Sequence, residues 1–268
     1  MTTETDTVFS EIDPRGVARL VLNRPERHNA FDDALILALT EELLALEQNP
    51  AVRVVVLEAR GKSFSAGADL EWMRRMASYG WEENFRDSQA LATLMQTLNQ
   101  LDRPTLARVH GPALGGGVGL AACCDIAIAS EEVYFALSEV KLGLIPAVIS
   151  PYVIAAIGAR AAQRYFITAE RISAAEALRL GLVHEVVAGD ALDTRIESLV
   201  DTLLANGPQA MREAKKLVRH VNNQAFDAAL IDETARRIAD RRASEEAREG
   251  LAAFLEKRRP AWQVKNAE

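Results

Sequence analysis

Glycines at the predicted end of a strand and start of a helix form the first candidate site for chemistry. Gly115, Gly116 and Gly117 follow the β-favouring run Thr105–Val109 and precede a small, apolar stretch over residues 118–124. The first N–H groups of a helix have no acceptor within it and carry the positive end of its dipole. No Lys-Ser or Lys-Thr pair follows the glycines, and the Gly-x-Gly-x-x-Gly spacing is absent, which argues against a phosphate or dinucleotide site. We therefore predict that this turn stabilises an oxyanion that develops on a carbonyl.

A second donor is expected from the loop after the third predicted strand, because one N–H group alone holds an oxyanion loosely. Residues 53–59 contain a continuous apolar run, which is typical of a buried strand. Residues 61–70 follow; they are mostly small around Gly67, so their backbone groups are accessible, and a short helix is predicted to begin at Asp69. Two glycine loops, each after a buried strand and before a helix, favour a functional site over two ordinary turns.

The elements that must position these loops alternate between strands and helices. Strands are predicted at residues 8–12 and 17–22, joined as a hairpin, and at 53–59, 105–109, 125–129 and 133–136. Helices are predicted from Asp32 or Asp33 to residue 49 and over residues 81–101, 150–168 and 173–181. A helical tail follows from residue 190, with breaks near 206–208 and 220–223 and a cap at Ser244. This order predicts an α/β core with a C-terminal helical part.

Bulk properties restrict the class of protein. The chain has 268 residues, a 49% hydrophobic fraction and a formal charge of −7, which argues against nonspecific binding of nucleic acid. No apolar run approaches the ~20 residues that span a membrane, and the first seven residues are polar and acidic, so we expect a cytoplasmic protein. Cys123 and Cys124 are adjacent on a predicted buried helix, which makes a normal disulfide between them implausible.

Five segments, in order along the chain, resemble the crotonase (enoyl-CoA hydratase/isomerase) superfamily. The two oxyanion-hole segments of that family are similar to FSAGADLEWM at residues 64–73 and GPALGGGVGLAACCDI at 111–126. Its N-terminal signature, second catalytic segment and C-terminal tail are similar to LNRPERHNA at 22–30, FALSEVKLGLIP at 135–146 and FLEKRRP at 254–260. The resemblance implies a crotonase-type ββα spiral core over residues 1–189, a helical trimerisation region over 190–268, and homotrimers or hexamers built as dimers of trimers.

The resemblance also implies how the site works. The backbone N–H groups of Ala68 and Gly116 match those that hold the enolate oxygen of an acyl-CoA thioester. Hydratases of the family use two glutamates to add water; Glu139 matches the second, whereas Gly119 stands where the first would be. Apolar residues flank Glu139, and burial among them would raise its pKa and suit it to general acid and base catalysis.

With one glutamate, three functions remain open. A single carboxylate is also the pattern of Δ3,Δ2-enoyl-CoA isomerases, in which one base moves a proton between two carbons. The amino-acid sequences of the segments at 115–125 and 137–147 resemble those of bacterial methylglutaconyl-CoA hydratases of leucine degradation and related hydratases of acyclic-terpene degradation. We therefore expect hydration of a branched substrate such as 3-methylglutaconyl-CoA, with the isomerase as the alternative. A noncatalytic or RNA-binding protein of the same fold is disfavoured by the acidic charge.

Other charged residues remain candidates for specific roles. Asp69, Glu71 and Asp125 are conceivable substitutes for the missing carboxylate, although Asp69 and Asp125 suit helix-capping or structural roles equally well. Coenzyme A is expected as part of the substrate, with no separate cofactor and no metal. Arg74, Arg75 and Lys141 are equal candidates to meet a carboxylate on the acyl group. By resemblance, the residues predicted to bind coenzyme A are Arg27, His28, Ser65, Ala66, Ala68, Asp69, Leu70, Phe254 and Lys257.

Overall fold

A six-stranded sheet forms the centre of the molecule in the computed structural model, which describes residues 6–222 and 224–263. Residues 1–5 of the predicted core, residue 223 in the predicted break, and residues 264–268 of the predicted helical region therefore lie outside the described residues. The strands of the large sheet are β1 (Val8–Ile12), β2 (Val17–Leu22), β3 (Val54–Ala59), β4 (Thr105–Val109), β6 (Ile126–Ser130) and β9 (Glu185–Val187), and they are adjacent in that order. A second sheet contains β5 (Ala113–Leu114), β7 (Tyr134–Ala136) and β8 (Arg171–Ser173).

Hydrogen-bond pairing gives the large sheet one antiparallel edge. The predicted hairpin is confirmed, since β1 and β2 are antiparallel with Val8 opposite Leu22, and every later pairing in this sheet is parallel. Apolar side chains are buried on both faces of β3 and β4, because helices cover the sheet on both sides. The parallel strands therefore end on the same edge, and the loops that follow them are brought together there.

The helices lie close to their predicted positions. Their bounds are α1 (Asp33–Gln48), α2 (Leu70–Met76), α3 (Trp81–Gln100), α4 (Gly116–Cys123), α5 (Ser150–Thr168), α6 (Ala174–Leu180), α7 (Leu192–Ala205), α8 (Pro208–Val221), α9 (Ala228–Ala243) and α10 (Glu245–Leu255). Side chains cap several of them: Asp32 accepts from the Leu35 N–H at the start of α1, and Ser244 accepts from the Ala247 N–H at the start of α10. The α/β class and the run of helices at the C-terminal end of the chain are both confirmed; the division at residue 190 stays a prediction.

The start of the helical tail belongs to the packing of the core. Leu192, Ile196 and Val200 on α7 are fully buried against the sheet face that carries Val54 and Leu106. The apolar spacing of α7 thus reflects burial within one chain rather than a free surface. Later in the tail the apolar residues are more exposed. The large exposed ones are Val218, Val221, Phe226, Ile231, Ile238, Leu251, Phe254 and Leu255.

A partly buried ion pair connects the tail to the core. Lys215 on α8 donates to the Asp125 carboxylate at 2.6 Å and to the Arg103 carbonyl at 3.0 Å, and its side chain is only 9% exposed. Asp125 also accepts from the backbone N–H and the hydroxyl of Thr105 at the start of β4. Loss of Asp125 would leave the Lys215 ammonium without its charged partner in a partly buried site, whereas loss of Lys215 would leave Asp125 with its two bonds from Thr105.

No helix within residues 6–222 and 224–263 is long and apolar enough to cross a membrane.

Candidate active site

The turn before α4 requires glycine for two separate reasons. Gly115 has a φ of +49°, in the left-handed region that side chains disfavour, and its N–H donates to the Ala136 carbonyl of β7 at 2.9 Å. Gly116 and Gly117 are limited instead by space. A Cβ on Gly116 would lie 2.9 Å from a ring carbon of Phe31, and one on Gly117 would lie 2.8 Å from the Cβ of Ser65. The glycines therefore allow the first turn of α4 to approach the neighbouring loop closely.

Backbone hydrogen bonds join that neighbouring loop to the turn. The Leu114 N–H donates to the Ser65 carbonyl at 2.8 Å, which places residues 65–68 beside the start of α4. On the other side of the loop, the Phe31 N–H donates to the Gly67 carbonyl, and the Asp69 N–H donates to the Phe31 carbonyl at 2.8 Å. The two glycine loops predicted to cooperate are thus brought into contact.

Two backbone donors remain free in this arrangement. Neither the Ala68 N–H nor the Gly116 N–H donates to any acceptor in the part of the chain that the structure describes, although the residues on either side of Ala68 are both bonded. Gly116 is the first residue of α4, so its N–H also carries the positive end of the helix dipole. Two fixed donors on adjoining loops can stabilise a negative oxygen without reorganisation.

Glu139 provides a carboxylate at the same place. It opens a short 3-10 turn, Glu139–Leu142, directly after β7, and the pairing of β7 with β5 aligns this turn with the glycines. Its Oε1 lies 3.0 Å from where a Cβ on Gly115 would stand. Its Oε2 is buried without a hydrogen-bond partner among the described residues. Burial raises the pKa of Glu139 above its ordinary value of 4.5, as the apolar flanking residues predicted.

The position of the absent carboxylate is filled by hydrocarbon. A Cβ on Gly119 would lie 2.3 Å from Cγ2 of Ile149 and 3.2 Å from Cε of Met95. Both of these side chains are buried. A side chain at position 119 would consequently collide with Ile149 unless one of the two moved.

The other carboxylates considered from the sequence have partners elsewhere. Asp69 caps α2 by accepting from the Glu71 and Trp72 N–H groups. Burial acts to raise the pKa of Asp69, but these two hydrogen bonds, with Arg24 and Arg27 nearby, outweigh it and hold the pKa below its usual range. Asp125 is occupied by the ion pair with α8 described above. Glu71 is exposed and lies 3.6 Å from Arg27.

Most residues predicted to bind coenzyme A lie together around one loop. Arg27 lies 3.9 Å from Asp69, and Nδ1 of His28 is 3.0 Å from the Ser63 hydroxyl. The Ala66 N–H donates to the His28 carbonyl at 2.9 Å. These contacts connect residues 27–28 to the loop that carries the Ala68 donor.

The remaining predicted coenzyme A residues differ in exposure. Ser65 is fully buried: its hydroxyl donates to the Asn29 carbonyl, its N–H donates to the Pro112 carbonyl, and its own carbonyl accepts from the Leu114 N–H. Its role is therefore to hold the loop in place. Leu70 is exposed beside the loop. Phe254 and Lys257 lie at the end of α10, which packs against α9, and Phe254 is 80% exposed. Their role in binding stays a prediction.

Asn29 is a supporting residue that sequence reasoning missed. It is fully buried with a φ of +53°, and its side-chain amide donates to the Arg60 and Ser63 carbonyls at 2.8 Å each. Its side-chain oxygen accepts from the Arg24 N–H at 2.8 Å. Asn29 thereby connects the turn at 24–30 to the loop at 60–63. The tolerance of asparagine for positive φ, within a polar connection, was the signal available in the sequence.

Comparison with known proteins places this geometry in a family. The model of the enoyl-CoA hydratase/isomerase family matches residues 13–265. The crystal structure of an enoyl-CoA hydratase from Shewanella pealeana matches the structure of this chain with a TM-score of 0.93. The two sequences are 46% identical, and the match covers 96% of each chain. An enoyl-CoA hydratase of Alternaria alternata is 35% identical over 237 residues, 87% of this chain and 75% of its own. The 2,3-dehydroadipyl-CoA hydratase of Escherichia coli is 33% identical over 245 residues, 91% of this chain and 94% of its own.

Proposed function

This chain belongs to the enoyl-CoA hydratase/isomerase family, and from that premise we propose that it hydrates an enoyl-CoA reversibly with one glutamate, Glu139. We further propose a branched acyl group that ends in a carboxylate, such as that of 3-methylglutaconyl-CoA. The observation that carries the proposal is the buried, unpartnered Oε2 of Glu139 next to the glycine turn. A carboxylate oxygen without a protein donor is free to accept a hydrogen bond from a water molecule or to exchange a proton with substrate.

One carboxylate is sufficient for a balanced reaction. Glu139 takes a proton from water, whose oxygen bonds to C3 of the enoyl thioester as the electron pair of the C2–C3 double bond moves towards the thioester oxygen. The Ala68 and Gly116 N–H groups hold the resulting enolate. The protonated Glu139 then returns its proton to C2, the carbonyl reforms, and the carboxylate is regenerated. The net change is addition of one water, and the reverse sequence is dehydration.

The raised pKa of Glu139 suits both halves of this cycle. A carboxylate whose pKa lies above the ordinary range is a stronger base towards water, and the same group still releases its proton to the enolate carbon. Burial of the site also strengthens the interaction between the enolate oxygen and its two donors. We therefore assign the base and the acid to the same residue.

The proposed acyl group has two lines of support. The segments around Gly119 and Glu139 resemble those of methylglutaconyl-CoA hydratases, and a relative of this chain is named for 2,3-dehydroadipyl-CoA, whose acyl group ends in a carboxylate. Two of the candidate cations are also available. Arg74 and Lys141 are exposed and have no ion-pair partner among the described residues, whereas Arg75 pairs with Asp33.

A Δ3,Δ2-enoyl-CoA isomerase is the second candidate. The observation that favours it is the filled space beside Gly119, because isomerisation needs only one base to move a proton between two carbons. Hydration is preferred because the relatives compared above are named as hydratases. The two reactions differ in the mass of the product, since hydration adds one water and isomerisation adds nothing.

A panel of thioesters tests the proposal. The purified protein is incubated with crotonyl-CoA, 3-methylcrotonyl-CoA, 3-methylglutaconyl-CoA and a 3-enoyl-CoA, and the products are followed by mass. We expect hydrated product with the highest kcat/KM on 3-methylglutaconyl-CoA. Arg74→Ala and Lys141→Ala separate the two cations: the one that meets the carboxylate should raise KM for that substrate alone, by about tenfold. Arg75→Ala is the matched control. Equal kcat/KM for 3-methylcrotonyl-CoA and 3-methylglutaconyl-CoA would contradict the proposed acyl group.

A further inference from the structure

Ile149 occupies the space that any side chain at Gly119 would need. The contact is between α4 and the residue that precedes α5, two helices that pack against each other. A Cβ on Gly119 would lie 2.3 Å from Cγ2 of Ile149 and 3.0 Å from its Cβ. Carbon atoms in contact are about 3.5–4.0 Å apart, so an alanine at this position already requires movement.

The surroundings restrict that movement. Ile149 is 3% exposed, and its Cγ2 is attached directly to a branched Cβ, so only a change of rotamer or of backbone moves it away. On the other side Cε of Met95 lies 3.2 Å from the same Cβ position, and Met95 is fully buried. Methionine ends are flexible. The rigid part of the obstacle is therefore Ile149.

Gly119 lies on the turn of helix that follows the oxyanion turn. The Gly119 N–H donates to the Gly115 carbonyl, which separates the two residues by one helical turn, a rise of about 6 Å. Glu139 lies over Gly115, and Ile149 lies over Gly119. One stretch of α4 thus has a carboxylate against its first turn and hydrocarbon against its second.

We propose that Ile149 is the positioning residue that keeps this site to a single carboxylate, by filling the volume that a side chain at position 119 would take. The inference rests on the proposed hydration by Glu139 alone and extends it to a residue with no chemistry of its own. Water and proton transfer are confined to the Glu139 side, because Ile149 has neither a donor nor an acceptor and the Met95 thioether, a weak acceptor, already accepts from Cys123 Sγ. Gly119 and Ile149 act as a matched pair, and substituting one without the other lowers the stability of the fold.

The pairing is tested first without activity. Gly119→Ala should lower the melting temperature by about 5 °C or more when Ile149 is present. Ile149→Ala removes the 2.3 Å contact with Cγ2 and leaves Cβ at 3.0 Å, so Gly119→Ala added to Ile149→Ala should cause a clearly smaller further loss of melting temperature. Ile149→Val is the matched control, because valine keeps Cγ2 and should leave the cost of Gly119→Ala unchanged. If Gly119→Ala lowers the melting temperature equally in the wild-type, Ile149→Ala and Ile149→Val backgrounds, the proposed contact is wrong, whatever reaction the enzyme catalyses.

The catalytic part is tested by adding a second carboxylate. In the wild-type background Glu139→Gln should lower hydration by about 100-fold or more. In the Gly119→Glu/Ile149→Ala background, Glu139→Gln should lower the rate of hydration by about tenfold or less. The pH profile of kcat in that background should show a second ionisation. With Ile149→Val in place of Ile149→Ala, this rescue should be absent.

The outcomes separate the two proposals. If the triple variant with Glu139→Gln is no more active than Ile149→Ala/Glu139→Gln, Ile149 does not control the number of carboxylates and the inference is wrong. If the wild type hydrates no thioester while the melting-temperature coupling is as expected, the proposed function is wrong but the pairing of Gly119 with Ile149 stands. Rescue in the alanine background and none in the valine background supports both.

Discussion

Glu139 lies over Gly115, with its Oε1 3.0 Å from the position a Cβ on that glycine would take. The glycine therefore has two roles: it adopts a φ of +49°, and it leaves room for the carboxylate beside the Gly116 donor. The relationship links the two parts of the site, because the residue that shapes the oxyanion turn also fixes how closely Glu139 approaches it.

Gly115→Ala should reduce turnover more than it reduces stability. The new methyl group must displace Glu139 from the donors, and a shift of about 1 Å at a reacting group can cost about 100-fold in rate. Gly158→Ala is the matched control, because Gly158 also has a positive φ, +74°, but nothing lies within 4 Å of its Cβ position. The melting temperature should fall by a similar amount in both variants, and kcat should fall only in Gly115→Ala. Equal kcat in the two variants would contradict the assigned contact.

The pH dependence of activity and of stability should both report the raised pKa of Glu139. Catalysis requires the carboxylate, so kcat/KM should fall as pH drops through a midpoint above the ordinary glutamate pKa of 4.5. Between that ordinary pKa and the raised one, the folded protein binds a proton that the unfolded chain has released. The free energy of unfolding therefore falls as pH rises through this interval and is constant above it.

Glu139→Gln isolates this contribution. Since glutamine removes the buried charge, the variant should unfold at a higher denaturant concentration than wild type above the interval. The difference should disappear below the ordinary glutamate pKa, where both side chains are neutral. Urea unfolding at a series of pH values checks the sign. A variant that is less stable than wild type at neutral pH would show that the carboxylate is stabilised in the fold, contrary to its missing partner.

The two oxyanion donors can be removed without changing any side chain. Replacing the amide of Ala68 or of Gly116 by an ester, through incorporation of the matching hydroxy acid, substitutes oxygen for the N–H. Each ester should lower kcat by about 100- to 1,000-fold with little effect on binding of coenzyme A. An ester at Ala66 is the control, because that N–H donates to the His28 carbonyl and its loss should affect stability rather than kcat. Unchanged kcat in both test variants would exclude the assigned donors.

Assembly into trimers or hexamers stays a prediction, and the exposed apolar residues of the helical tail are the candidates for its interface. Leu199, Val200 and Leu203 on α7 pack against the sheet, whereas Ile231 and Ile238, one face of α9, are each about half exposed. Exposed apolar patches of this kind mark interfaces. Ile231→Asp/Ile238→Asp should shift the particle towards the monomer by light scattering, and Ile12→Asp on the outer hairpin should not. A wild-type monomer at micromolar concentration would contradict the prediction.

Sequence reasoning located the features that depend on neighbours along the chain. The strand bounds and the caps at Asp32 and Ser244 follow from apolar runs and from side chains that bond the next turn. The short strands β5, β8 and β9 were missed, because two or three residues carry no periodicity and their pairing is set by distant segments. The apolar residues of α7 pack against the sheet of the same chain, a contact that their spacing along the sequence does not distinguish from an interface between chains.

The features of the site likewise fall into those that the local sequence predicts and those that depend on packing between distant segments. The turn at Gly115 and the donor at Gly116 follow from local backbone rules, and apolar neighbours indicated the environment of Glu139. The contact of Ile149 with Gly119 could not be predicted, because it depends on how α4 and α5 pack against each other. The sequence identified Gly119 at the position of the first glutamate, but it did not indicate that Ile149 lies against it.

The most direct test of hydration by a single carboxylate is the product mass in isotopically labelled water. Wild type and Glu139→Gln are incubated with 3-methylglutaconyl-CoA in water enriched in oxygen-18. Wild type should give a product carrying one labelled oxygen on C3 and one hydrogen from solvent on C2, and Glu139→Gln should form it at least about 100-fold more slowly. An unhydrated product of the same mass as the substrate, or labelled product formed equally fast by Glu139→Gln, would contradict it.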